Sequence, residues 1–198
     1  MIRRSWLVQF VASFALAGIF VAAPVSAASL VGNGGFETGS FSSWNLTGDT
    51  SFSSVSSAAP VPQSGTYGAS FGPFETTGGI SQTLTTFAGA SYILDFWLQA
   101  EADVLGAFAP NSFLATWNGA TVTSLLNSAA FNYTHLTFNV TATSASTVLG
   151  FTFRNDPGFW DLDNVAVTAV VPEPETWALM GFGLALLSLR RRSGSVRR

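Results

Sequence analysis

The fold class of this chain is decided by the stretch Tyr92-Ile93-Leu94-Asp95-Phe96-Trp97-Leu98-Gln99. Its apolar side chains recur at every second position, as they do in a β-strand that buries one face. The buried face is predicted to hold Tyr92, Leu94, Phe96 and Leu98. The opposite face turns Asp95, Trp97 and Gln99 outward. The stretch therefore predicts a strand that covers a core on one side only.

The same alternation appears in two later segments, 133–140 and 148–154. Both are therefore predicted to be half-buried strands as well. The side chains predicted to be buried are Leu136, Phe138, Val140, Leu149, Phe151 and Phe153. Those predicted to point outward are Tyr133, His135, Thr137, Thr152 and Arg154.

The rest of the body contains short segments of similar character, broken by Gly, Pro and Asn. Further strands are predicted at 67–72, 78–87, 113–118 and 160–169. The stretch 48–66, rich in Ser, Ala and Pro, is predicted to be a long surface loop. No helical period is evident between residues 28 and 170. Short strands at this spacing predict an all-β fold, an antiparallel β-sandwich.

The composition excludes several classes of function. The 198 residues include no cysteine, which rules out a disulfide scaffold, a thiol nucleophile and a cysteine-ligated metal site. Residues 28–171 contain one basic residue, Arg154, against nine Asp and Glu, a formal charge of −8. So acidic a body repels polyanions, which excludes nucleic acid and makes anionic lipid an unsuitable partner.

The N-terminus has the organisation of a secretory signal peptide. Arg3 and Arg4 precede a long apolar stretch, and small residues at 25–27 form a cleavage site before Ala28. Residues 1–27 are therefore predicted to be a signal helix that is removed on export. The body is then residues 28–170.

The C-terminal segment, residues 171–198, has three parts in order. Pro172, Glu173 and Pro174 come first, an apolar stretch too short for a stable transmembrane helix follows, and a basic cluster ends it. The cluster consists of Arg190, Arg191 and Arg192, which would remain cytoplasmic while the body lies outside. The segment is thus predicted to be a short hydrophobic anchor helix that holds the protein transiently in the inner membrane.

These three parts resemble the PEP-CTERM sorting signal of Gram-negative bacteria, over residues 171–192. The resemblance implies an exported protein whose partner is an exosortase, a membrane enzyme that removes the tail. Delivery to the cell surface or to an extracellular exopolysaccharide matrix would follow.

The body opens with Val31-Gly32-Asn33-Gly34-Gly35-Phe36-Glu37 and closes with Phe159-Trp160-Asp161-Leu162-Asp163-Asn164-Val165. These motifs resemble those of carbohydrate-binding modules with a galactose-binding-like jelly roll. The resemblance implies a jelly-roll sandwich, no catalysis, and a structural Ca²⁺ held by Glu37 and Asp163. Asn164 departs from the family pattern, in which a second Asp is common.

A cation site is also expected from the residues themselves. In a jelly roll the first and last strands lie side by side, which would bring Glu37 close to Asp163, with Asp161 nearby. Carboxylates held close together repel each other unless a cation joins them, and oxygen ligands suit Ca²⁺. The alternative is a hydrogen-bonded carboxylate that caps a turn.

Sugar binding is the second candidate chemistry. If the three outward strand faces are neighbours, an aromatic platform is flanked by groups that bond hydroxyls. The candidate ligand-binding residues are Asp95, Trp97, Gln99, Tyr133, His135 and Arg154. The alternative is that a loop covers Trp97 and that the polar residues are ordinary surface residues.

A hydrolase is disfavoured. The residues Gly68-Ala69-Ser70-Phe71-Gly72 match the G-x-S-x-G pattern, but Pro73 follows at once and no helix is predicted. The chain is therefore predicted not to be an enzyme. The sequence favours an exported glycan-binding or matrix module, with a purely structural matrix protein as the alternative and an ice-binding protein less favoured.

Overall fold

Ten β-strands form two antiparallel sheets in the computed structural model, which describes residues 28–102, 110–170 and 181–185. The strands are β1 (Asn45–Gly48), β2 (Ser53–Ser56), β3 (Gly68–Phe71), β4 (Gly78–Thr85), β5 (Ser91–Ala100), β6 (Asn111–Trp117), β7 (Ala120–Leu126), β8 (Phe131–Thr141), β9 (Ser146–Asn155) and β10 (Trp160–Ala169). The first sheet has the order β1-β4-β9-β6-β7 and the second the order β2-β3-β10-β5-β8. The prediction of an all-β antiparallel sandwich is confirmed.

The core lies between the two sheets and is rich in aromatic rings. Leu94, Phe96 and Leu98 of β5 are fully buried, as the alternation predicts. In β9 the predicted core residues Phe151 and Phe153 are buried as well. Phe153 stacks on Phe71 of β3 with 4.1 Å between ring centroids, which joins the first sheet to the second.

The N-terminal segment runs beside the last strand, as expected for a jelly roll. Leu30 N donates to Val167 O at 2.8 Å, and Val165 N donates to Gly34 O at 2.9 Å. A side-chain carbon at Gly34 would lie 1.9 Å from Val165 O, so only glycine permits this close approach. The pairing brings the opening and closing motifs of the body together.

Three strands were not predicted. β2 and the last residue of β1, Gly48, lie within the stretch 48–66 expected to be a loop, so that prediction is wrong for these residues. The rest of β1 and all of β7 lie outside that stretch and were not predicted to be strands. All three are edge strands with mostly exposed or half-buried residues. These three strands bury few side chains and so show no clear alternation of apolar and polar positions, whereas the edge strand β8 packs Leu136, Phe138 and Val140 against the core and was predicted.

The β-sandwich belongs to one compact unit, Ser26–Val171, while the helical residues 181–185 belong to a second. Among the described residues, none forms a helix of the length and apolar character needed to cross a membrane. The predicted signal peptide lies outside the described residues. So do Pro172, Glu173, Pro174 and the cluster Arg190–Arg192.

Candidate functional site

Three adjacent strands of the second sheet, β10, β5 and β8, carry most of the predicted site residues. In the strand register Asp161 lies opposite Gln99, Asp163 lies opposite Trp97, and Trp97 lies opposite His135. Residues directly opposite each other share a face of the sheet. Since the neighbours of Trp97 in β5 are core residues, this face is the one turned away from the core. We call it the outer face.

Trp97, His135 and Asp95 form a group on the outer face. The rings of Trp97 and His135 stack with 5.0 Å between centroids and 14° between planes. His135 Nε2 lies 3.2 Å from Asp95 Oδ1, and the two side chains are 44% and 27% exposed. One face of the Trp97 ring is therefore covered by His135, and the half-buried Trp97 and the exposed His135 present a joint aromatic surface to solvent.

An open cleft of about 500 Å³ lies at the end of the same strands. It is lined by Pro60, Gln99, Ala100, Glu101, Ala102, Ala130, Phe131 and Asn132. Its polar groups are two amides and one carboxyl group, and Phe131 and Pro60 provide apolar walls. Sequence reasoning identified Gln99 but not Asn132 or Phe131, because these two residues carry no motif and are brought here by the β5–β8 pairing.

Asp161 lies behind the lining of this cleft. It is fully buried, and its Oδ2 accepts a hydrogen bond from Gln99 Nε2 at 3.2 Å. Its Oδ1 makes no hydrogen bond of normal geometry to the described residues, although the Ser70 hydroxyl, directly opposite in β3, and the Glu101 carboxyl group are close enough to affect its pKa. Burial raises the pKa of Asp161 to about 7, and the negative charge of Glu101 adds to this effect.

Asp163 holds the loop between β2 and β3, residues 57–67, against the outer face. Its Oδ2 accepts hydrogen bonds from the backbone N–H groups of Gln63 at 2.9 Å and Ser64 at 3.2 Å. Its Oδ1 accepts one from Asn164 N at 2.7 Å. Burial nevertheless raises the pKa of Asp163, because three hydrogen bonds only partly replace lost hydration.

Glu37 binds the same loop a few residues later in the chain. Its Oε1 accepts hydrogen bonds from Thr66 N at 3.0 Å and Tyr67 N at 3.2 Å. Gly65 has φ +70°, and a side-chain carbon there would lie 2.1 Å from Glu37 Oε1. Asp163 Oδ1 and Glu37 Cγ both lie 3.8 Å from the position of a side-chain carbon built on Gly35, so the two side chains are neighbours, and the charge of Glu37 contributes to the raised pKa of Asp163. The expected proximity of Glu37 and Asp163 is thus found, whereas Asp161 contacts Gln99 instead.

Tyr133 lies on the outer face, but its hydroxyl group is already engaged. It donates a hydrogen bond to Val61 O in the β2–β3 loop. Burial, together with the negative charges of Asp161 and Asp163, raises the pKa of Tyr133. Tyr133 therefore anchors the loop over the strands, and the loop covers part of the outer face.

Arg154 is not part of this group. It lies on β9 in the first sheet, where its Nε donates to Asp156 Oδ2 at 2.8 Å. Asp156 Oδ1 in turn accepts a hydrogen bond from Glu75 N at 2.7 Å. The prediction that Arg154 shares a face with Trp97 is wrong, because alternation indicates the exposed side of a strand but not the sheet to which the strand belongs.

The described residues give no support to a hydrolase or to a carboxylate-rich metal cluster. Ser70 is buried within β3 opposite Asp161, and the hydrogen-bond partner of His135 is Asp95. A strand on both sides of Ser70 is not the strand–turn–helix elbow that a serine nucleophile needs. No group of three or more His, Cys, Asp or Glu side chains that could hold a metal ion is present in this part of the chain.

Comparison with known proteins identifies the tail and the fold. Residues 170–192 match the PEP-CTERM protein-sorting motif. This match indicates an exported protein with a C-terminal sorting tail. No curated protein matches the chain.

Solved structures similar to the body include carbohydrate-binding modules. The module TmCBM61, in complex with β-1,4-galactotriose, is 20% identical with a TM-score of 0.56 over 72% of this chain and 99% of that one. The CBM22-1 xylan-binding domain of Paenibacillus barcinonensis Xyn10C is 18% identical with a TM-score of 0.50, covering 76% and 100%. The K1 adhesin domain of Lys-gingipain from Porphyromonas gingivalis is 15% identical with a TM-score of 0.56, covering 69% and 96%. At these identities the likeness establishes the jelly-roll fold.

Proposed function

We propose that the body is a non-catalytic glycan-binding module of an exported surface protein, and that it binds sugar on the outer face. One observation carries this proposal: the open cleft lies at the end of β5 and β8, the two strands that also carry the Trp97–His135 pair. The amides of Gln99 and Asn132 suit sugar hydroxyls, and aromatic rings stack on sugar C–H surfaces. The similarity to carbohydrate-binding modules supports it.

The charge of the body indicates the class of glycan. With Arg154 paired to Asp156 in the other sheet, the outer face carries acidic groups and one histidine that is bonded to Asp95. An anionic polysaccharide would be repelled by this surface. We therefore propose a neutral glycan as the ligand. A neutral glycan array probed with the purified protein tests the proposal, and binding confined to anionic glycans would contradict it.

We further propose that an exosortase recognises the Pro-Glu-Pro motif and removes the tail, after which the protein reaches the cell surface or an exopolysaccharide matrix. The order of motif, apolar stretch and arginine cluster supports this.

Replacing Pro172, Glu173 and Pro174 together with alanine is expected to leave the tail uncut and the protein in the inner membrane. The motif would be lost, while the apolar stretch and Arg190–Arg192, which stop transfer, would remain. Intact-mass analysis of membrane and surface fractions measures the outcome. Normal processing of the triple variant would contradict recognition by an exosortase.

We also propose that a structural Ca²⁺ binds beside Gly35. The residues there fit a calcium ion, because a side-chain carbon built on Gly35 would lie 3.4 Å from Asn164 Oδ1 and 3.8 Å from Asp163 Oδ1. Glu37 borders the same space through its Cγ atom, at 3.8 Å, and a change of rotamer would bring its carboxylate to the ion. The ligands are then oxygens, as Ca²⁺ requires. The ion would offset the repulsion between the carboxylates of Glu37 and Asp163.

Calcium is therefore expected to raise the melting temperature of the protein. A ligand that binds only the native state adds about 2.7 kcal/mol to the free energy of unfolding at a hundredfold excess over its dissociation constant. Thermal unfolding with Ca²⁺ and with a chelator measures the effect, and Glu37→Gln should reduce it. A melting temperature that is the same under both conditions would count against the calcium site.

A further inference from the structure

A second cavity, of about 290 Å³, lies among the connections between strands and shares no lining residue with the cleft described above. Three phenylalanine rings line it: Phe52 from the β1–β2 turn, Phe74 from the β3–β4 connection and Phe159 from the β9–β10 connection. The other lining residues are Asn155, Pro157 and two glycines. Pockets for small ligands begin at roughly 300 Å³ and are mostly apolar with a few placed polar groups, so this cavity has the character of a small-ligand pocket.

The connections around this cavity are fixed to one another by the fold. Gly72 N donates a hydrogen bond to Phe52 O at 3.0 Å, and Asn155 N donates one to Pro73 O at 3.1 Å. A side-chain carbon at Gly72 would lie 2.7 Å from Cε1 of Phe159, so the ring packs directly over the glycine. The walls are therefore in position before a ligand binds, which lowers the cost of binding.

Asn155 has the one polar side chain among the described residues that line the cavity. The residue is only 5% exposed, and its side-chain amide forms no hydrogen bond with the part of the chain that the structure describes. Buried amides almost always have partners, because an unpaired one loses its hydration without compensation. The unpaired amide therefore indicates a ligand that carries a hydrogen-bonding group.

The chemistry of the lining restricts what this ligand can be. None of the described lining residues is charged, and the neighbouring Asp156 is already paired with Arg154 Nε at 2.8 Å, so a charged group would be buried without a partner. A ring that carries only hydroxyl groups would leave most of them unbonded against the phenylalanine rings. A hydrocarbon would leave the amide of Asn155 unpaired. A methyl group joined to an amide meets both requirements.

We propose that this cavity binds the acetamido group of a neutral N-acetylated amino sugar. The methyl group packs among the phenylalanine rings, and the ligand amide exchanges hydrogen bonds with the side chain of Asn155, which has both donors and an acceptor. The sugar ring stays at the mouth, beside Phe52 and Phe74, which are 54% and 47% exposed. There its hydroxyl groups keep their hydration while its C–H surface contacts the rings. The inference does not rest on glycan binding at the outer face.

Titration of the purified full chain with N-acetylglucosamine, followed by NMR so that weak binding is detected, tests the proposal. Glucose is the matched ligand, because a hydroxyl group replaces the acetamido group, and it should bind about tenfold more weakly or worse. Phe74→Ala and Asn155→Leu should each weaken binding of N-acetylglucosamine about tenfold, the second because it keeps the volume and removes the amide. Phe87→Ala, which removes another exposed ring, is the control and should bind like the wild type.

Trp97→Ala separates this site from the outer face. It should bind N-acetylglucosamine like the wild type, whether or not the outer face binds a glycan, because Trp97 does not line this cavity. Loss of N-acetylglucosamine binding in Trp97→Ala, with Phe74→Ala unaffected, would place the sugar at the outer face and overturn the proposal.

Three further results would overturn the proposal. They are a wild type that does not bind N-acetylglucosamine, a wild type that binds glucose equally well, and tighter binding of Nε-acetyllysine, which carries the same acetamido group on an amino-acid side chain. Circular dichroism checks the fold of each variant first. If the buried Asn155→Leu does not fold, the exposed Phe74→Ala decides the question.

Discussion

Replacing Phe151 with alanine is expected to lower the free energy of unfolding by about 4 kcal/mol. Phe151 is 1% exposed and its ring contacts those of Trp44, Phe96 and Phe113. Removing it leaves a cavity between the two sheets that this rigid set of rings cannot close. The loss therefore includes a cavity contribution in addition to the lost burial of the ring.

Chemical denaturation followed by tryptophan fluorescence measures this change. Phe87→Ala provides the control, because the Phe87 side chain is 76% exposed and so buries little surface on folding. The midpoint of Phe151→Ala should fall steeply and that of Phe87→Ala should stay near the wild type. Similar midpoints for the two variants would show that the rings of the first sheet do not form the packed core described above.

Replacing Asp163 with alanine is expected to lower the free energy of unfolding by about 3 kcal/mol. The reason is the loss of hydrogen bonds, not the loss of apolar packing. The carboxylate accepts the backbone N–H groups of Gln63, Ser64 and Asn164. Without this carboxylate, the N–H groups of Gln63 and Ser64 in the β2–β3 loop and of Asn164 in β10 lose their acceptor. The loop should then separate from the outer face and become accessible to proteases.

Limited proteolysis and denaturant unfolding of Asp163→Ala test this together. Asp163→Asn keeps one carbonyl oxygen as an acceptor, so its loss of stability should be smaller. Asp49→Ala is the second control, because Asp49 accepts one backbone N–H group, from Ser51, at an exposed turn. If Asp163→Ala is as stable and as resistant to cleavage as Asp49→Ala, the loop is not held by Asp163.

The alternation of side chains was sufficient to predict the central strands. In β5 and β9 the predicted core residues are buried, and Trp97 points away from the core as expected. A central strand has one face fixed by the core, so its register can be deduced from local sequence. The edge strand β7 packs few side chains against the core and lacks this constraint, which is why it was not predicted, whereas the edge strand β8 has a core-facing side and was.

The site was only partly predictable because its parts meet through long-range pairing. The opening and closing motifs indicated that Glu37 and Asp163 would be neighbours, and both side chains border Gly35. Nothing in the sequence indicates that Arg154 belongs to the other sheet or that the β2–β3 loop covers Tyr133. Both facts depend on the order of strands in the sheets, which local patterns do not specify.

Affinity electrophoresis in gels that contain a neutral polysaccharide tests the central claim, glycan binding at the outer face, most directly. β-1,4-galactan and xylan are suitable first probes. At least one of these polysaccharides should retard the wild type. It should retard Phe87→Ala equally, because this substitution changes an exposed aromatic side chain in the β4–β5 turn, away from the outer face. Trp97→Ala and Asn132→Ala should bind that glycan at least tenfold more weakly while they remain folded, a loss of about 1.4 kcal/mol. Retardation of Trp97→Ala and Asn132→Ala equal to that of the wild type, or no retardation of the wild type by any neutral glycan, would contradict the account.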